Sequence, residues 1–329
     1  MSVAAFALIA AMITVYVVLD GYDLGVATVL PAVARSRRGR AGGMAAIGPF
    51  WNGNEVWLIA AGAVLFALFP RAYASAFSGF YLPFVIVLWL LMFRGIAMEL
   101  REHFESDVWH DFWDTAFSFS SALLVLLFGI TLGNLLRGLP LAQGYFMGTF
   151  GYLLNGYALL VGLFAIVVLA QHGLAFLSLR VDGALADRAR SLGGTLWWAT
   201  LAGYLAVTAA TIAVRGSALI FSPLAAIGAL SLLALLALRW FGSRRNDLAA
   251  FAVSSLFIVT LLAEASATLF PYLLPAQTFA RVGISIADAQ PNPVALATAL
   301  ATSIAGLAVV VAYATFVVRK MSRRVTVED

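Results

Sequence analysis

Apolar residues fall in nine long runs, near 3–34, 47–69, 76–100, 113–136, 153–180, 196–214, 218–238, 249–274 and 295–319. Each fills or exceeds the roughly 17–25 residues that an α-helix, rising ~1.5 Å per residue, uses to cross a ~30 Å hydrocarbon core. Strands of a membrane barrel are about half as long and alternate in polarity, so the pattern predicts helices. The first run lacks the basic start and small-residue cleavage site of a signal peptide, and it continues past Asp20, so it is read as a retained first helix. The polar stretches between runs are short, the longest near 101–112 and 275–294. No internal repeat or low-complexity segment stands out. The expectation is one membrane domain over 1–329, all-α and polytopic, with nine transmembrane helices.

Composition agrees. Of 329 residues, 63% are hydrophobic and 11% are charged, against about 45–50% and about 25% in soluble domains. That excludes a soluble enzyme, a disordered chain and a collagen-like fibre. There is no cysteine, so disulfides, Cys-ligated zinc, iron–sulfur clusters and thiol catalysis are excluded. The net charge of +4 would suit nucleic acid, but the placement of the basic residues points elsewhere. With the N-terminus outside, sixteen of the twenty Lys and Arg fall in cytoplasmic segments, among them Arg35, Arg37, Arg38 and Arg40. Arg71, Arg137, Arg215 and Arg281 are the four outside. This is the positive-inside bias; it predicts an N-out/C-in orientation and no nucleic-acid partner. Trp109, Trp113, Trp197, Trp198 and Trp240 are expected at inner helix ends as interfacial anchors.

Ionisable groups inside spans cost roughly 2.5–3.5 kcal/mol on insertion scales and are candidate functional residues. The alternative is a buried polar device that holds helices in register. Asp20 and Asp23 lie three apart on one helix face, with Gly21 and Gly25 permitting close backbone approach. Two acids on one face repel, so one is expected to hold a proton unless a cation pairs with them. Helix 2 opens with Asn52, Gly53, Asn54 and Glu55, followed by Trp57. Counting along the helices puts Asp23 about 16 Å and Glu55 about 10 Å from their inner ends, both in the cytoplasmic half. A water-lined path through this pair competes with a polar cluster that satisfies a helix start. Arg94 is a candidate ion-pair partner for Asp20 or Asp23, whereas Arg101 reads as snorkelling to headgroups. His172 and Glu264 are not level with each other and are not paired. His103 and His110 belong to a polar loop, read as solvated, with a metal site as the weaker reading. No catalytic residue and no metal site is assigned to this chain.

The stretches Leu19-Asp20-Gly21-Tyr22-Asp23-Leu24-Gly25 and Phe50-Trp51-Asn52-Gly53-Asn54-Glu55-Val56-Trp57-Leu58 resemble the two signatures of subunit II of cytochrome bd-type quinol oxidases. Likeness continues through Leu65–Pro70, Ala76–Tyr81, Phe93-Arg94, Gly133–Pro140, His172-Gly173 and Phe270–Pro275, in order along nearly the whole chain. The resemblance implies an electrogenic complex of the bacterial cytoplasmic membrane that oxidises quinol and reduces O2 to water. Haem b558, haem b595 and haem d are then ligated by the partner, subunit I, and small accessory subunits accompany some members. It further implies two four-helix bundles plus one peripheral helix. It implies a cytoplasmic proton path through the acid matching Asp23 and the polar start of helix 2, with Asp20 beside it, and an apolar oxygen route near Trp57. Some members hold a structural quinone on this subunit. Some carry Asp at the position of Asn52 and Gln at that of Glu55. Here Asn52 can only hydrogen-bond, and Glu55 takes the carrier's role. Two competing readings remain: a proton-coupled transporter, which paired broken helices and inverted repeats would favour, and a purely structural assembly subunit.

Overall fold

The computed structural model of the protein describes residues 1–216, 223–277, 283–321 and 324–326. Arg281 and Arg323, both counted in the charge split, lie outside the described residues, as does the start of the run expected at 218–238. The long helices are α1 (Ser2–Val33), α3 (Trp51–Leu68), α5 (Tyr81–Leu100), α6 (Asp107–Arg137), α8 (Gly156–Arg180), α9 (Gly183–Arg215), α10 (Leu224–Ser243), α11 (Asp247–Leu269) and α13 (Pro293–Met321). Shorter helices intervene: α2 (Arg37–Ile47), α4 (Pro70–Gly79), α7 (Phe150–Leu153) and α12 (Ile286–Ala289). Among the described residues, eight helices are long and apolar enough to cross a membrane. The exception among the long ones is α3, whose first turn carries Asn52, Asn54 and Glu55.

Helix α8 is the hub, packed by α1, α6, α9 and α11. Glycines set its crossings. A Cβ on Gly25 of α1 would lie 1.9 Å from the Leu169 carbonyl oxygen, and one on Gly173 would lie 2.3 Å from the Gly25 carbonyl carbon. The α6 crossing repeats the device, with a Cβ on Gly129 falling 2.6 Å from the Gly162 Cα. Backbone contact of this kind is how membrane helices associate where apolar burial supplies little drive. By contrast α13 rests mainly on α3 and buries only Leu296.

Two small antiparallel pairs cover one end of the helices: β1 (Leu141–Ala142) with β2 (Tyr145–Phe146), and β3 (Tyr272–Leu274) with β4 (Ile284–Ser285). Leu139 N donates to Pro275 O at 2.8 Å and so ties the two connections together. Ser285 caps α12, and its hydroxyl and N–H hold the Asp288 carboxyl below the usual carboxylate range.

Several expectations are corrected. The run at 76–100 is two helices, because Pro70 starts α4 and the chain turns again at Phe80 before α5. Helix α9 begins at Gly183 rather than 196, since the charged segment after Asp182 stays helical beyond the apolar run. Arg101 does not snorkel: it is buried and its Nε donates to Asp114 Oδ1 at 2.5 Å. His110 is also buried, with Arg37 and the Ser106 carbonyl against its ring nitrogens. Arg40 reaches Asp111 at 2.9 Å and Asp114 at 3.0 Å. The supposed polar loop is therefore partly a network that docks α2 on α6. Trp113 and Trp197 are interior, the latter donating to Leu235 O at 2.8 Å, whereas Trp198 and Trp240 are exposed as anchors should be.

Candidate functional site

The signature residues converge where α1, α3 and α5 meet. Asp20 and Asp23 sit on the inward face of α1, and both are fully buried. Arg94 comes from α5 and is also fully buried. Its Nη2 donates to Asp20 Oδ1 at 2.9 Å and its Nη1 to Glu55 Oε1 at 2.7 Å. One guanidinium thus staples three helices. The planar fork suits this, because its donors point in fixed, separate directions. The two acids differ in access: Asp20 is enclosed, whereas the Glu55 side chain is 23% exposed.

Asp23 is held separately. Asn54 Nδ2 donates to Asp23 Oδ2 at 2.7 Å, and the same amide lies 2.9 Å from the Tyr22 hydroxyl and 3.2 Å from the Leu19 carbonyl. Asp23 Oδ1 and Arg94 Nε are buried and have no hydrogen-bond partner among the described residues. The centre gathers one cation and three carboxyl groups within apolar walls.

The structure brings together four of the residues singled out in the sequence: Asp20, Asp23, Glu55 and Arg94. It leaves Asn52 out, on the exposed side of α3. Asn54, which the sequence reading did not single out, is the buried amide of the cluster. Two residues along a helix are about 200° apart, so only one of the two asparagines can face α1. Trp57, one turn beyond Gly53, is buried at 4% exposure in the same apolar cluster as Met12, Tyr16 and Ala61, with its Nε1 unpartnered among the described residues.

The candidate ligating side chains do not fit a haem. The Val18 carbonyl can only accept, so His172 Nε2 carries the proton and donates to it at 3.0 Å, and Nδ1 accepts from the Ser254 hydroxyl at 2.7 Å. Both nitrogens of this fully buried ring are committed, and Phe251 stacks on its face. Glu264 lies apart in α11, beside Gly228 and Tyr204. Among the described residues no group of three His, Asp or Glu side chains is placed to hold a metal ion.

A family profile described as cytochrome bd terminal oxidase subunit II matches residues 1–321. The cytochrome bd-I ubiquinol oxidase subunit 2 of Escherichia coli K12 is 28% identical over 357 aligned positions, covering 98% of this chain and 94% of that protein. The cytochrome bd ubiquinol oxidase subunit 2 of Bacillus subtilis 168 is 35% identical, over 62% of this chain and 61% of its own length. A probable cytochrome oxidase subunit 2 of Haemophilus influenzae is 38% identical over 53% of this chain, a match spanning about half of that relative. Among solved structures, a chain of the bd oxidase from Geobacillus thermodenitrificans superposes with a TM-score of 0.77 at 18% identity, over 97% of both chains. That likeness bears on the fold.

Proposed function

The chain belongs to the cytochrome bd terminal oxidase subunit II family, and from that premise we propose that it is the haem-free subunit of a respiratory quinol oxidase that reduces O2 to water. It works in the bacterial inner membrane, as one membrane domain beside a haem-bearing subunit I. Haems b558, b595 and d of that partner supply the electron transfer and oxygen chemistry. Membrane quinol is the reductant, and lipids, a structural quinone and small accessory subunits complete its surroundings. The observation that carries this reading is the buried Asp20–Arg94–Glu55 staple with Asp23 and Asn54 beside it, on the signature residues themselves.

In this role the chain's own residues handle protons. Glu55, the partly exposed acid, exchanges with the cytoplasmic side. Asp23, held by Asn54, receives the proton within the apolar interior. Arg94 keeps Asp20 as its fixed counter-ion, so that a proton moving past meets a compensated charge. Asn52, exposed on α3, hydrogen-bonds water at the approach. Trp57 lines an apolar route for oxygen. Nine spans, counting α3, arranged as two four-helix bundles with α13 peripheral, complete the proposed architecture.

The direct test is spectroscopic. Purified with its native partners, the chain is expected to carry b- and d-type haem absorption; separated from them, it is expected to show no Soret band. Stoichiometric haem on the separated chain would overturn the assignment. Orientation has its own test. A cysteine replacing Ser36 is expected to react with an impermeant reagent only from the cytoplasmic side, and one replacing Ala287 only from outside. The reverse pattern would put Glu55 on the wrong side for proton uptake.

A further inference from the structure

We propose that the cleft between α8, α9, α10 and α11 is a specific site for the phosphodiester of a monoanionic glycerophospholipid, phosphatidylglycerol being the common example. The cleft has a volume of 450 Å³, within the ~300–1,000 Å³ of small-molecule sites. It opens at the end of the helices where Arg188, Arg244 and Arg245 also lie, flanked by the exposed Trp198. Beside it Arg244 stacks 4.0 Å over the exposed ring of Trp240. Exposed tryptophans with adjacent arginines mark headgroup depth.

Two side chains define what the cleft takes. Gln171 lines it at 6% exposure, and its Oε1 is buried with no hydrogen-bond partner among the described residues. That oxygen is closed off from the cleft, so the amide atom a ligand can reach is Nε2, a donor that asks for an acceptor. The amide's Nε2 lies against Gly193, 3.5 Å from where a Cβ would stand. From α10, Arg239 lies over the adjacent Gly194, where a Cβ would come within 3.1 Å of its Nη1. Its guanidinium sits 6.0 Å from the Trp197 ring, and its Nη1 makes only a 3.4 Å contact with Gly194 O. No carboxylate pairs with Arg239 among the described residues.

The other charges of the cleft cancel. Arg190 grips both oxygens of Asp247, at 2.9 and 2.8 Å, and reaches Asp187 at 2.8 Å, where Arg245 also arrives at 3.2 Å. Asp247 neutralises Arg190, which leaves Arg239 as the uncompensated cation. The fitting ligand therefore has one negative charge for Arg239 and an acceptor oxygen for the Gln171 amide N–H. A phosphodiester supplies both through its anionic oxygens, while its acyl chains continue along the apolar helix faces. A zwitterionic headgroup carries its own ammonium as counter-charge and gains less from Arg239, and a quinone brings no charge for it. The site is separate from the proton route proposed above.

Native mass spectrometry on the detergent-purified complex tests this. Delipidated complex would be titrated with phosphatidylglycerol, phosphatidylethanolamine and inorganic phosphate, as wild type and as Arg239→Gln and Gln171→Leu. The expected result is one phosphatidylglycerol held at least tenfold more weakly by Arg239→Gln and several-fold more weakly by Gln171→Leu, with phosphatidylethanolamine and phosphate competing poorly. Arg239 is exposed, so Arg239→Gln is expected to keep wild-type thermal stability. Equal phosphatidylglycerol retention by all three proteins would overturn the site. Equal competition by phosphatidylethanolamine or by free phosphate would overturn its stated chemistry, as would a quinone adduct that both substitutions remove.

Discussion

Arg94→Leu is expected to prevent stable accumulation of the chain in the membrane and its co-purification with a haem-bearing partner. The guanidinium is enclosed, and the two acids it bridges belong to different helices. Without it, Asp20 is left as a buried carboxyl with no counter-charge, and α1, α3 and α5 lose their shared staple. Removing one partner of a buried ion pair costs about 3–5 kcal/mol, comparable to the whole margin by which many folds are stable. Arg94→Lys keeps the charge but replaces a fork with a point donor, so partial accumulation is expected. The pair of changes Asp20→Asn and Arg94→Gln together should recover more protein than Arg94→Leu alone, because it removes the two enclosed charges, keeps hydrogen-bonding groups and leaves only the partly exposed Glu55 without its cation. Immunodetection in membranes and haem-normalised purification yields read this directly. Normal yield from Arg94→Leu would mean that the staple is not what holds these helices.

That pairing was half legible in the sequence. Acids and an arginine inside apolar runs stand out because they cost so much there, and Asp20, Asp23, Glu55 and Arg94 were all marked on that ground. Which acid takes the arginine was open, since it depends on how α5 is rotated against α1, and hydropathy carries no phase information between helices. The same limit explains Asn54. The sequence offers two asparagines at the start of α3, and only tertiary packing decides that Asn54 faces Asp23 while Asn52 faces outward. Arg101 reads as snorkelling, and Asp114 does not stand out, for another reason. They lie near the ends of apolar runs, where a charge usually reaches water, yet the docking of α2 on α6 encloses them. The start of α9 at Gly183 shows the difference between a span and a helix, because backbone hydrogen bonding continues where apolar burial ends.

Asp23→Asn and Glu55→Gln are expected to lower quinol oxidase turnover by at least tenfold per haem while assembly stays normal. Proton handling by a positioned side chain typically contributes 10²–10⁴ in rate, and oxygen reduction stalls if its protons arrive slowly. Both changes are nearly isosteric. An amide at 23 still offers an oxygen to Asn54 Nδ2, and one at 55 still offers an oxygen to Arg94 Nη1, so the hydrogen bonds of 2.7 Å are retained. What is lost is the exchangeable proton. Stopped-flow measurement should therefore show normal reduction of the haems by quinol but slowed proton uptake from the cytoplasmic side. A structural role alone predicts the opposite pattern, with lower yield and unchanged turnover per haem. Asp20 offers an internal contrast, since Arg94 fixes it as a counter-ion. Asp20→Asn is expected to behave like a weakened Arg94 variant, losing protein rather than rate. If Asp23→Asn and Glu55→Gln both turn over at the wild-type rate, protons take another path and the three-helix centre serves assembly alone.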